Sequence, residues 1–129
     1  MFYLDTSAAV KLVVTEPGTT ALRRWLASRD GAMVSSDLLR TELLRATRRA
    51  APEQMVQARA VLDALILLTL SSAVFERAAM LEPDLLRSLD ALHLAAALEL
   101  GDELEGMVTY DRRLAEGAKA LGVQVVAPV

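Results

Sequence analysis

Short apolar runs and stretches with an apolar residue every three or four positions take turns along the chain. Phe2 to Leu4 is the first run; it stops at Asp5, and from Thr6 the pattern turns helical through Ala8, Ala9, Leu12 and Val13. Glu16-Pro17-Gly18 breaks that pattern, and Ala21, Leu22, Trp25 and Leu26 mark a second helix that Asp30-Gly31 ends. The two are expected to form a hairpin over one sheet face. Ala32 to Ser35 reads as strand two, and Ser35-Ser36-Asp37 as the N-cap region of a helix carrying Leu38, Leu39, Glu42, Leu43 and Ala46. Pro52 suits the first turn of the next helix, with Met55, Ala58, Val61, Leu62 and Leu65 facing a core; Ile66 to Leu70 then reads as strand three.

In the second half, Ser71 and Ser72 are placed to cap a helix with Val74, Ala78 and Leu81 that stops near Pro83. Ser88 opens another, with Leu89, Leu92, Ala96 and Leu100, ended by Gly101. Gly106 to Tyr110 is strand four, Asp111 starts a last helix with Leu114, Ala118 and Leu121, and Val123 to Val126 is a final strand after Gly122. Parallel strands need crossovers, usually helical, so this alternation predicts an α/β domain with a mainly parallel sheet. Ligands of such sheets collect at the carboxyl ends of the strands, near the reversal of strand order.

Composition narrows the function. The chain has 129 residues, 53% hydrophobic, enough for one domain with a real core, and is expected to be a single domain over residues 1–129. Fourteen basic against 17 acidic residues give a net charge of -3, which argues against wholesale electrostatic capture of nucleic acid and leaves room for a local basic patch. The absence of cysteine excludes thiol nucleophiles, disulfides and thiolate zinc sites, and fits a reducing, cytoplasmic location. The strongest apolar stretch, Ala64 to Leu70, is far shorter than the roughly 20 residues of a spanning helix. With Asp5 so early and no basic flank or cleavage site, no signal peptide is expected.

Asp5 follows strand one, Asp111 follows strand four, and Glu42 lies about two turns into the helix after strand two. Asp90 starts the helix before strand four, and since that helix runs antiparallel to its strand, its start reaches the same edge. Each acid has a structural use alone: Asp5 and Asp111 as helix caps, Asp90 against a helix dipole, Glu42 in an exposed pair with Arg45. Together they point to metal chemistry. Clustered carboxylates repel one another, whereas hard divalent cations prefer oxygen ligands and make water a nucleophile toward a phosphodiester. Ser7 and Thr109, two residues from Asp5 and Asp111, are placed to support them by hydrogen bonds.

The segments Leu4-Asp5-Thr6-Ser7-Ala8, Ser88-Leu89-Asp90-Ala91-Leu92-His93-Leu94-Ala95 and Thr109-Tyr110-Asp111-Arg112-Arg113-Leu114, with Glu42 between, resemble PIN-domain proteins, most of all the VapC toxins. The likeness runs over nearly the whole chain in order. It implies a PIN-like three-layer α/β/α domain with a central parallel sheet of four or five strands. It also implies a Mg²⁺ (or Mn²⁺) site at Asp5, Glu42, Asp90 and Asp111, and endoribonuclease activity as the toxin of a toxin-antitoxin system. A VapB-like antitoxin that covers the site, and a homodimer, are expected from the same resemblance. All four acidic positions hold acids here, so no degenerate member is indicated; the RNA target lies outside the shared motifs.

Arg45, Arg48 and Arg112 are candidates for RNA phosphate contacts; Arg40, Arg49 and Arg113 belong to the same two basic stretches. Lys11 reads as a snorkelling side chain, and His93, three residues after Asp90, as a hydrogen-bonded structural histidine. The aromatics are too few for a stacking platform. Val61 to Leu70, with Leu38, Leu39 and Leu43, reads as core in preference to a partner interface. The rival reading is a non-catalytic RNA- or partner-binding module using the same edge. A phosphoryl-acceptor receiver fits less well, since it needs a separate strand-end aspartate and a matching lysine.

Overall fold

The structure is a computed structural model and describes all 129 residues. Its elements run β1 (Phe2–Leu4), α1 (Thr6–Lys11), α2 (Thr19–Ala27), β2 (Met33–Ser36), α3 (Leu38–Ala50), α4 (Met55–Ala64), β3 (Ile66–Leu68), α5 (Ser72–Ala79), α6 (Ser88–Leu98), β4 (Gly106–Val108), α7 (Arg112–Ala120) and β5 (Val125–Val126). One sheet joins all five strands in the order β3-β2-β1-β4-β5, every neighbouring pair parallel.

The two-residue period of a strand assigns the layers. Tyr3, Val34 and Met107 lie in register and point to one face, where they bury against Leu94 and Ala97 of α6 and Leu114 and Ala118 of α7. Leu4 and Val108 point to the other, against Ala8 of α1 and Leu22 of α2. Beside that layer, Leu39 and Leu43 of α3 pack with Ala58, Val61 and Leu62 of α4, so these leucines are core and not a partner surface. α5 leans on α6 through Val74, Ala78, Ala91 and Ala95. The result is the expected three-layer α/β/α arrangement, with five strands. No helix is long and apolar enough to cross a membrane.

Several boundaries differ from the sequence pattern, each for a tertiary reason. α1 stops at Lys11, whose carbonyl accepts from the Thr19 hydroxyl at 2.9 Å, and Leu12 and Val13 follow in a turn. Ser35 and Ser36 were expected near a helix cap; pairing with Leu67 and Leu68 keeps both in β2, their hydroxyls buried and unpartnered. Asp37 therefore precedes α3 without a capping hydrogen bond. Pro52 opens a 3₁₀ turn, Pro52–Gln54, which leads into α4.

From β1 the chain builds outward to β2 and β3, then returns to lay β4 and β5 on the other side of β1. Strand order thus reverses between β1 and β4, and the residues that follow these two strands, Asp5 and Thr109 to Asp111, flank the reversal.

Candidate active site

Asp5 leaves β1 in extended conformation and caps α1: its Oδ1 accepts from the Ala8 amide at 3.0 Å and from the Ser7 hydroxyl at 2.7 Å. Its Oδ2 accepts from the Thr109 hydroxyl at 2.7 Å, across the reversal. The two hydroxyls also receive: Ser7 accepts from the Tyr110 amide at 2.9 Å, and Thr109 from the Asp111 amide at 3.0 Å. Each therefore stitches the turn after β1 to the turn after β4. Burial pushes the Asp5 carboxyl above its ordinary range, against the pull of Thr109, Ser7, the Ala8 amide and His93.

Glu42 projects from the second turn of α3. Its Oε1 accepts from the Thr6 hydroxyl at 2.7 Å and lies 2.6 Å from Nε2 of His93. Burial works to raise this carboxyl, but the hydrogen bond and charge of His93 together with Thr6 outweigh it and leave it lowered. The exposed pair with Arg45 is not formed; Arg45 is itself exposed. His93 is buried in α6, and its Nδ1 lies 2.8 Å from the Tyr3 hydroxyl. Its proximity to Glu42 escapes a reading of local spacing. The available signal is that His93 lies three residues beyond Asp90 on one helix, so any fold bringing Asp90 to the edge brings His93 near it.

Asp90 occupies the first turn of α6, as expected, and Asp111 caps α7 by accepting from the Leu114 amide at 3.0 Å. Burial raises the Asp90 carboxyl, and so do the charges of Asp111, Asp5 and Glu42, while His93 lowers it. Asp90 thus feels the charges of the other three acids. Asp90 and Asp111 share an open cleft of about 250 Å³ with Arg87, Arg112 and Arg113, yet no ion pair joins either acid to these arginines. Arg45 and Arg48, exposed on α3, do not line it. Lys11 donates to the Pro17 carbonyl at 2.8 Å and covers the Tyr110 ring, a structural use.

No three His, Asp or Glu side chains converge tightly enough to form a ready-made cation cage. Mutual repulsion accounts for that: Asp5 and Glu42 turn to hydroxyl and ring donors, Asp111 to a helix amide. The donor set is nonetheless all oxygen, and the only nearby imidazole is engaged with Glu42. That chemistry suits a hard cation such as Mg²⁺ or Mn²⁺, which binds through a few carboxylates and keeps several waters. The largest cavity, about 400 Å³, lies elsewhere, between α5 and α6, lined mainly by apolar residues such as Phe75, Leu81, Leu86 and Leu92.

Comparison with known proteins agrees with this architecture. The PIN domain family model matches residues 2–120. Ribonuclease VapC47 of Mycobacterium tuberculosis (strain CDC 1551 / Oshkosh) is 44% identical over 132 residues, covering 99% of this chain and 97% of the relative. Ribonuclease VapC46 of Mycobacterium tuberculosis (strain ATCC 25618 / H37Rv) is 45% identical over 126 residues, covering 98% and 96%. Among solved structures, Mycobacterium tuberculosis VapC20, described as a sarcin-ricin loop cleaving toxin, superposes with a TM-score of 0.79 at 18% identity, over 99% of this chain and 100% of that one. A toxin-antitoxin complex from Klebsiella pneumoniae gives 0.75 at 19% identity, over 100% and 98%. At such identities the superpositions speak for the fold.

Proposed function

The chain belongs to the PIN-domain family, and on that premise we propose that it is a metal-dependent endoribonuclease, the toxin of a toxin-antitoxin pair. The observation that carries this reading is the set of Asp5, Glu42 and Asp111, from three separate parts of the chain, close enough for their charges to act on Asp90 beside the strand-order reversal. Repelling carboxylates are held together at a cost that a divalent cation removes. A bound Mg²⁺ or Mn²⁺ would supply an acidified water and neutralise charge on the departing oxygen.

These four acids hold the ion. Ser7 and Thr109 fix the Asp5 carboxylate, and Arg112, in the cleft beside Asp90 and Asp111, takes a phosphate of the RNA strand, with Arg45 and Arg48, on α3 outside the cleft, as its weaker contacts. In the reaction the water oxygen bonds to phosphorus as the bond from phosphorus to the leaving nucleoside oxygen breaks. The water gives up one proton and the leaving oxygen gains one, so no protein nucleophile is required. A VapB-like antitoxin, a homodimer and a cytoplasmic location complete the reading. The exposed apolar side chains Phe75, Met80, Leu85 and Leu89 leave surface for a second chain to cover.

The test is cleavage of RNA by the purified protein with Mn²⁺ or Mg²⁺. EDTA is expected to stop it, and Asp5→Asn to lower the rate by at least about 100-fold with the far-UV circular dichroism unchanged. Cleavage that survives in the folded variant removes Asp5 from the chemistry. No turnover of any RNA with either metal leaves the non-catalytic binding module in place of the nuclease.

A further inference from the structure

The only histidine of the chain is buried between two polar groups. On one side the Tyr3 phenol lies 2.8 Å from Nδ1, the rings meeting edge to face with centroids 5.7 Å apart; on the other, Glu42 Oε1 lies 2.6 Å from Nε2. Tyr3 is wholly buried, and burial raises its pKa, so it stays a phenol with a proton to donate. The Ser35 and Ser36 hydroxyls, buried nearby, pull that pKa down without offsetting burial. A carboxylate only accepts, so Nε2 is the donor in its contact with Glu42.

We infer that His93 is a positioning residue: held beside the Tyr3 phenol, it pins Glu42 through Oε1 and so leaves Oε2 for the cation. Thr6 donates to the same oxygen at 2.7 Å, and Oε2 has no hydrogen-bond partner within the protein. Two donors on one oxygen define the carboxylate plane and leave the second oxygen for a ligand. The inference rests on Glu42 being a metal ligand as proposed above, and it adds a relay from Tyr3 in β1 through His93 in α6 to Glu42 in α3.

Mn²⁺ binding tests it without reference to turnover. Tyr3→Phe, which keeps the ring packing and removes the phenol beside Nδ1, is expected to weaken Mn²⁺ binding. Mn²⁺ titrations are expected to show affinity about 10- to 100-fold weaker in His93→Asn, the scale of losses when the support of a metal ligand is removed. His93→Gln, which returns an N–H near the Nε2 position, is expected to recover most of it. Wild-type Mn²⁺ affinity in both Tyr3→Phe and folded His93→Asn overturns the relay. Glu42→Gln separates this inference from the reading it rests on: if it binds Mn²⁺ like the wild type, the ligand role of Glu42 falls.

Discussion

Asp5 meets two opposed demands, to cap a helix and to stay charged while buried. Three hydrogen bonds on its oxygens favour the carboxylate, yet burial wins and its pKa is raised. In the folded chain it therefore binds a proton more strongly than in the unfolded chain, where its pKa is about 3.9. Its contribution to stability is intact below that value and falls as pH rises toward the folded pKa; above that it stays at its lowest. Asp5→Asn keeps an oxygen for the Ala8 amide and escapes this cost. In EDTA its Tm is expected above that of the wild type at pH 7, with the gap closing near pH 3. Equal melting temperatures at pH 7 contradict the burial argument. The residue that proposed catalysis can least lose is thus one whose charge weakens the empty fold. Local spacing singled out Ser7 beside Asp5 and Thr109 beside Asp111, but not the bond from Thr109 to Asp5, 104 positions away. It did not reach the bond from His93 to Glu42, whose partners are 51 positions apart.

At the scale of elements, the sequence located every helix and strand, because each carries its own periodic apolar face; the ends moved by a few residues where distant atoms intervened. Ser71 caps α5 through the Val74 amide as local preference suggests, whereas β2 retained Ser35 and Ser36 against it. The turn between α1 and α2 shows local chemistry and tertiary contact acting together. Gly18 precedes α2 with φ of 93°, and a Cβ there would meet the Pro128 carbonyl oxygen and the Tyr110 ring only at ordinary contact distance. The cost of Gly18→Ala is therefore conformational, about 1–2 kcal/mol for an L-residue in the left-handed region. Urea unfolding is expected to show that loss with an unchanged m-value. A neutral result means that this turn relaxes to negative φ without disturbing α2.

Across the whole molecule, the net charge of -3 looks unsuited to a nucleic-acid ligand until the charges are placed. Arg87, Arg112 and Arg113 line the same cleft as Asp90 and Asp111, unpaired with them, so positive charge stands ready for phosphate next to the acids that would hold the cation. Arg112 was marked from sequence because it adjoins Asp111. Arg87 was not, because it joins the cleft only when the start of α6 is set beside the start of α7. Each phosphate contact to a single strand adds about 0.7 to the slope of log affinity against log salt. With single-stranded RNA and the Asp5→Asn protein as a non-cleaving background, Arg87→Gln and Arg112→Gln are each expected to lower that slope by about 0.7. Arg48→Gln, outside the cleft on α3, is expected to change it less. Equal drops from all three would mean that the bound strand runs on across α3, making the footprint a groove over two elements instead of the cleft alone.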